Sequence, residues 1–379
     1  MHTDSPRAPR ASSSRRFAVA LFALLLALAP PVSSRAATNI LTHAELQAVN
    51  PDGTSPFVVG DSCPFLLRGI LLNDPADMLS IDYVPGAEGR GNGAQYQVFL
   101  QGLDPDRGGT VLYMSEGTSG ESYTEEEWTS ELARVTTDPD TGHPFRPGDY
   151  VEVTANWAMY RGGKLNVNEA HDKSPAFDFH VRLLTPDAGF PPAEPITLAD
   201  LVDGDGTQIF DPTRATGGEH WQGMRVRLDA VRLANDDAVA VWNHEHPETL
   251  AWRDRLVPCT DAAGRTFNLR LPRYSLGPAP ATNRWFSATG ILNQENSNTA
   301  GYELFVQEIG PILDLSFDET DGTAEIAFSA DYVGYRLQVS DDSGANWTNA
   351  LAFPSVIVIH DPEASPTRFY RLVLPSPAD

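Results

Sequence analysis

Several familiar kinds of chemistry are scarce in this sequence. Its 379 residues include two cysteines, Cys63 and Cys259. Two excludes a disulfide-dense secreted scaffold, and their separation fits no zinc motif. An oxidising compartment would permit them to pair, although two buried thiols are the simpler expectation. Basic residues are also few, with 27 Lys and Arg against 51 Asp and Glu. A surface of that sign repels nucleic acid and anionic membrane unless a local patch reverses it. The apolar stretch Phe17 to Ala29 has thirteen residues, where a membrane-spanning helix needs about 20. Neither a Gly-x-Ser-x-Gly elbow nor a helical His-Glu-x-x-His pair occurs, and no Ser-x-x-Lys pair sits in a matching context. Pairs of carboxylates are everywhere at this acid density, so they carry no weight as a glycosidase signal.

The sequence opens with an export signal. Arg7, Arg10, Arg15 and Arg16 precede the apolar stretch, and Pro30, Pro31 and the small-residue site Ser34-Arg35-Ala36 follow it. A basic start, a short apolar core and a small-residue site define a secretory leader cleaved after Ala36. The match of Ser14-Arg15-Arg16-Phe17 to a twin-arginine signal is partial. The leader holds five arginines and one aspartate, so the remainder carries 22 basic and 50 acidic residues, a formal charge of −28. The expected location is outside the cytoplasm: secreted, periplasmic or on the cell surface.

An internal repeat organises the rest. Leu41-Thr42-His43-Ala44-Glu45-Leu46 resembles Ile196-Thr197-Leu198-Ala199-Asp200-Leu201. Each reads as a short helical turn with a Thr cap answered three residues later by a carboxylate. Strand-like segments follow both. In the first copy they are Phe65 to Leu72, Tyr96 to Gln101, Val111 to Ser115, Tyr150 to Trp157 and Tyr160 to Val167. In the second they are Met224 to Leu233, Ala238 to Trp242, Thr266 to Leu271, Trp285 to Leu292 and Tyr302 to Ile309. Between the strands of the first copy, Trp128, Leu132 and Val135 share one face of a helix beginning at Glu125. Five strands and a helix per copy suggest closed barrels, because closure removes exposed strand edges.

The segments Pro147 to Thr154 and Tyr160-Arg161-Gly162-Gly163-Lys164-Leu165 resemble the last two strands of OB-fold domains in secreted bacterial proteins, which often accompany extracellular nucleases and phosphoesterases. Gly223 to Val231 and Asp261 to Leu269 are similar to them too. No such catalytic domain accompanies the repeat here, so the resemblance implies a fold and no activity. The last 65 or so residues, with Tyr335-Arg336-Leu337-Gln338, Trp347 and Arg368 to Leu372, resemble a small β-sandwich module of large secreted bacterial proteins. That likeness implies an accessory or adhesion role. The expected architecture is therefore all-β: two tandem five-stranded OB-like barrels at 37–188 and 196–313, a linker at 189–195, and a small C-terminal β-sandwich-like domain at 314–379.

Candidate sites are few. Between Thr216 and Ala300, nine arginines balance nine acidic residues, so the second barrel is locally neutral. Arg225, Arg227, Arg265, Arg270 and Arg273 lie near Trp242, Trp252 and Tyr274 in the sequence. OB barrels bind single strands with basic and aromatic side chains on one face, and an oligosaccharide could use the same aromatics. The competing reading is a solvated strand face on which arginine stems cover apolar surface. His244 and His246 are the most metal-like pair, placed two apart ahead of Pro247, but no third ligand is identifiable. Asp203, Asp205 and Asp211 begin like a calcium loop, until Gln208 stands where glycine is needed and Arg214 where the bidentate glutamate belongs. No cofactor is expected; calcium is the ion these aspartates would take. Asn346-Trp347-Thr348 matches a glycosylation sequon, read here as coincidence. These features favour a secreted, non-catalytic binding or adhesion protein whose partner is an extracellular ligand or protein. The alternatives are a single-stranded nucleic-acid or oligosaccharide binder centred on the second barrel, with net charge disfavouring nucleic acid, and a metal-dependent hydrolase with a loop-built site.

Overall fold

The computed structural model describes residues 39–85, 93–117, 122–295 and 301–310, together with six strands between 313 and 373. The expected leader lies outside these residues, as do Asn346 and Trp347 of the sequon. Strands dominate and helices are few.

The first sheet contains β1 (Asn39–Ile40), β2 (Phe65–Leu71), β3 (Gln95–Gln101), β4 (Gly109–Ser115), β5 (Tyr150–Ala155), β6 (Ala158–Arg161), β7 (Lys164–Asn168) and β8 (Phe179–Thr185). Its order is β6-β7-β4-β3-β2-β5-β8, with β1 parallel to β2. The chain between β5 and β6 breaks at Asn156 and Trp157, so β5 pairs with β2 while β6 pairs with β7. Alternating side chains such as Tyr96, Val98, Leu100, Leu112, Met114, Leu165 and Val167 form the core. The expected helix is Glu125–Thr136. Thr124 caps it reciprocally with Glu127, and Trp128 and Val135 are buried in the same core.

The second sheet contains β9 (Glu194–Ile196), β10 (Arg225–Leu233), β11 (Leu256–Thr260), β12 (Thr266–Arg270), β13 (Phe286–Gln294) and β14 (Tyr302–Gly310). β10, β11, β12, β14 and β13 pair in a circuit that returns to β10, giving a closed five-stranded barrel. β9 adds in parallel to β10, so Glu194 and Pro195 of the expected linker form part of a strand. Both reciprocal caps of the repeat are present, at Thr42–Glu45 and Thr197–Asp200. The repeat extends to pairing: β4–β7 and β12–β14 are both parallel, and β2–β5 and β10–β13 both antiparallel.

One expected strand is corrected. Ala238 to Trp242 belongs to a helix, Asp236–Trp242. The Asn235 side chain accepts from the Ala238 backbone N–H at 2.9 Å, and Asp236 and Asp237 complement the positive end of the helix. Strands β8 and β11 went unexpected, the latter because Pro258 argues against a central strand.

A third apolar cluster fastens the two sheets together. Ile70, Leu72, Met78, Leu79, Phe99 and Val111 from the first pack on Ile291 and Phe305 from the second. Along this seam Gly109 N–H donates to the Gln222 carbonyl at 3.0 Å, and Arg225 N–H to Gln101 Oε1 at 2.8 Å. Arg107 holds Glu194 bidentately, both contacts at 2.7 Å. Beyond Gly310 lie two three-stranded antiparallel sheets. One is β15 (Leu313–Asp318), β16 (Thr323–Phe328) and β19 (Ile359–Asp361); the other is β18 (Thr348–Leu351), β17 (Arg336–Ser340) and β20 (Phe369–Val373). Cys63 and Cys259 are both free thiols, the second inside the barrel core.

Candidate functional site

Because side chains alternate along a strand, the outer face of the first sheet presents Gln95, Gln97 and Phe99 from β3, Val111 and Tyr113 from β4, and Lys164, Asn166 and Asn168 from β7. Strand register sets Gln97 beside Tyr113 and Tyr113 beside Asn168, and likewise Phe99 beside Val111 and Val111 beside Asn166. The apolar members, Phe99 and Val111, are sealed under the closed barrel. The polar members form the floor of a cavity of about 490 Å³. Its walls include Arg161 and Gly162 from the β6–β7 turn, His171, and Trp252, Arg253 and Glu295 from the closed barrel.

The walls are rigidly held. Lys164 Nζ donates to Asn293 Oδ1 at 2.7 Å, to the Gln294 carbonyl at 2.6 Å and to Glu295 Oε2 at 2.9 Å. Asn293 in turn donates to Glu303 Oε1 at 3.1 Å, and Glu303 receives a bidentate pair from Arg270 at 3.0 and 2.7 Å. The Arg270 guanidinium lies 3.8 Å from the centre of the Trp252 ring and also donates to the Trp252 carbonyl. A half-buried indole is thereby fixed as a flat wall. Gly163, at φ +83°, lets the β6–β7 turn meet Gln294, whose amide would stand 2.2 Å from a Cβ there.

Next to this floor, several buried polar atoms have no hydrogen-bond partner: Asn166 Oδ1, Asn168 Oδ1, Glu169 Oε2 and His171 Nε2. An unpaired buried polar group costs about 1–3 kcal/mol, and four occur within six residues of chain. Ala170 and His171 also occupy the left-handed backbone region in succession, at φ 60° and 52°, a conformation that persists only where surrounding structure imposes it. Burial pushes the Glu169 carboxyl up to about 7, while its other oxygen accepts from Ser115 N–H at 2.9 Å. Burial, aided by the Arg161 charge, lowers the His171 pKa, so the ring is neutral at pH 7. That ring meets Tyr113 edge-on at 5.6 Å, and burial raises the Tyr113 hydroxyl to about 12. The amide side chains that line the cavity can hydrogen-bond a hydroxyl-rich ligand, and Trp252 can take a ring against its face.

The residues singled out in the sequence are mostly dispersed or engaged within the protein. Arg225 pairs with Glu308 at 3.1 Å, Arg227 with Asp229 at 2.9 Å and Arg265 with Asp261 at 3.0 Å. Arg273 donates to the Leu79 carbonyl at 3.2 Å, and Tyr274 to that of Gln307 at 3.2 Å. Trp242 belongs to the barrel core, whereas Trp252 reaches the cavity with Arg270 beneath it. Asp203 and Asp205 both accept from Thr207 N–H; Asp211 accepts from Thr213 and Thr216, which lowers its carboxyl to about 2. His244 and His246 sit in an exposed loop, His246 against Glu248 at 3.3 Å. Among the described residues no three His, Cys, Asp or Glu side chains converge in a way that could hold a metal ion.

Gln95, Gln97, Asn166, Asn168 and His171 were not anticipated. Their signal was available as amides at a period of two on strands expected to be OB-like, the face such folds use for oligonucleotides and oligosaccharides. No protein-family model matches the chain, and no curated protein is significantly similar to it.

Proposed function

We propose that this chain is a secreted, non-catalytic binding protein made of two OB-like barrels and a C-terminal β-sandwich-like unit, and that its ligand is a saccharide chain held in the cavity between the barrels. The repeat of strand pairings supports a barrel in the first sheet, with the bent segment 150–161 serving as the strand that closes it. The two small sheets beyond Gly310 fit the sandwich-like unit. The leader supports export, and no described helix is long and apolar enough to cross a membrane.

The observation that carries the ligand reading is an amide floor facing a braced tryptophan across one cavity. Sugars bring many hydroxyl donors and an apolar ring face, and this combination supplies a partner for each. Nucleic acid fits less well: five arginines proposed for it are engaged within the protein, and the acidic surface opposes a polyanion. A loop-built metal hydrolase has no converging donor set among the described residues.

Thermal shift with a panel of soluble oligosaccharides and single-stranded oligonucleotides tests this, since a ligand of the folded form must raise Tm. Saccharides should raise Tm in the parent protein and fail to do so in Asn166→Ala or Trp252→Ala. A panel in which no saccharide raises Tm, or in which both variants respond like the parent, overturns the assignment.

A further inference from the structure

We infer that the saccharide is acidic, its carboxylate or sulfate received by Arg161 and Arg253 at the rim of the cavity. This rests on the saccharide reading and adds to it the charge of the ligand.

The two arginines come from different sheets. Arg161 ends β6 at the tight turn Arg161-Gly162-Gly163-Lys164, and Arg253 follows Trp252 in the short 3₁₀ turn Trp252–Arg255. Both line the cavity and both are exposed. Most other arginines of the two barrels are engaged: nine form ion pairs, in an acidic protein where carboxylates are plentiful. Arg161 and Arg253 make no ion pair and no hydrogen bond among the described residues. Arg161 lines the same cavity as Tyr113 and His171, beside the amide floor. Two uncompensated guanidiniums at one cavity, where the chain could have supplied Asp or Glu, suit an anion brought by the ligand.

The remaining charges at the site do not cancel them. Lys164 is neutralised by Glu295 at 2.9 Å, and Glu169 lies beneath the floor with its proton held near neutrality. The amides of the floor can pair with hydroxyls, while the rim arginines need an anionic acceptor. An acidic sugar residue carries both, whereas a phosphodiester strand offers acceptors and few hydroxyls. The strongly negative remainder of the surface further favours a short anionic segment confined to this rim over an extended polyanion.

Isothermal titration of the full secreted protein with tetragalacturonate, its methyl ester and a sulfated oligosaccharide of equal length tests the inference. The ester keeps the shape and removes the charge. Tetragalacturonate or the sulfated oligomer should bind at least tenfold tighter than the ester, with an affinity that falls as salt rises. Arg161→Gln and Arg253→Gln, both exposed positions, should each erase most of that difference and its salt dependence, and leave the Tm of the unliganded protein unchanged. Equal binding of ester and acid, or arginine variants that behave like the parent, overturns the acidic assignment while the saccharide reading stands. If no saccharide binds, charged or neutral, both fall. A single-stranded oligonucleotide binding more tightly than either acidic oligomer also overturns the inference.

Discussion

Glu169 shows how much one buried group can set. Its carboxyl ionises near the ordinary value of 4.5 in the unfolded chain and at about 7 when folded. Between those values the folded protein keeps a proton that the unfolded chain has released, so this group's contribution to stability is full below about pH 4.5, falls as pH rises through 7, and is level above that. The shift corresponds to at most about 3 kcal/mol. Asp77, raised to about 6 by burial, acts in the same direction over the lower part of the range. Between pH 5 and 7 the urea midpoint of Glu169→Gln should fall less, or rise more, than that of the parent; the same pH dependence in both would place its cause elsewhere. At Trp252, the Arg270 guanidinium fixes the indole while Glu303 compensates its charge. Arg270→Met should leave a buried carboxylate unpaired and lower stability by about 3–5 kcal/mol, read as a large fall in Tm.

At the scale of elements, the seam between the sheets depends on two glycines set back to back. A Cβ on Gly223, at φ +73°, would stand 2.5 Å from the Gly109 carbonyl carbon, and one on Gly109 would stand 2.0 Å from the Gly223 oxygen. Gly223→Ala therefore combines left-handed strain with a backbone clash and should cost about 1–3 kcal/mol or more, visible as a fall in Tm. The same change at Gly204, which has open space around it, should not reproduce that fall. The helix Asp236–Trp242 is short enough to depend on its cap. Asn235→Ala should cost about 1 kcal/mol, measured by the urea midpoint. Gln307 Nε2 donates to the Leu72 carbonyl at 2.6 Å and Arg273 N–H to that of Asp77 at 2.8 Å, so the cavity walls are set by the seam and by neither sheet alone.

For the whole molecule, the cysteines make a direct test of how the chain is held together. Burial raises Cys63 to about 11 and Cys259 to about 12, which keeps both thiols protonated and slow to react. A thiol reagent should therefore find both groups in denaturant and leave Cys259 untouched in the native protein, and reducing agent should not change Tm. A fall in Tm on reduction would require a bridge between the sheets. Among the described residues, stability comes instead from three apolar cores: one in each of the first two sheets and a third between them.

Local signals in the sequence sufficed for much of the fold. The Thr–Glu and Thr–Asp caps, the alternation in Met224 to Leu233 and the face formed by Trp128, Leu132 and Val135 each lie within a few residues, so the strand-rich repeat was legible. Ala238 to Trp242 misled because Val-Ala-Val-Trp alternates like a strand, and the Asn235 cap decided otherwise. The cavity was not legible for a different reason. Gln97, Asn166 and Asn168 read as an ordinary polar strand face until the closed barrel covers Phe99 and Val111 beside them and brings Trp252 and Arg253 across. Alternation is a property of one strand and can be read in order. Which half of a face is buried depends on residues more than a hundred positions away, and only tertiary packing decides it.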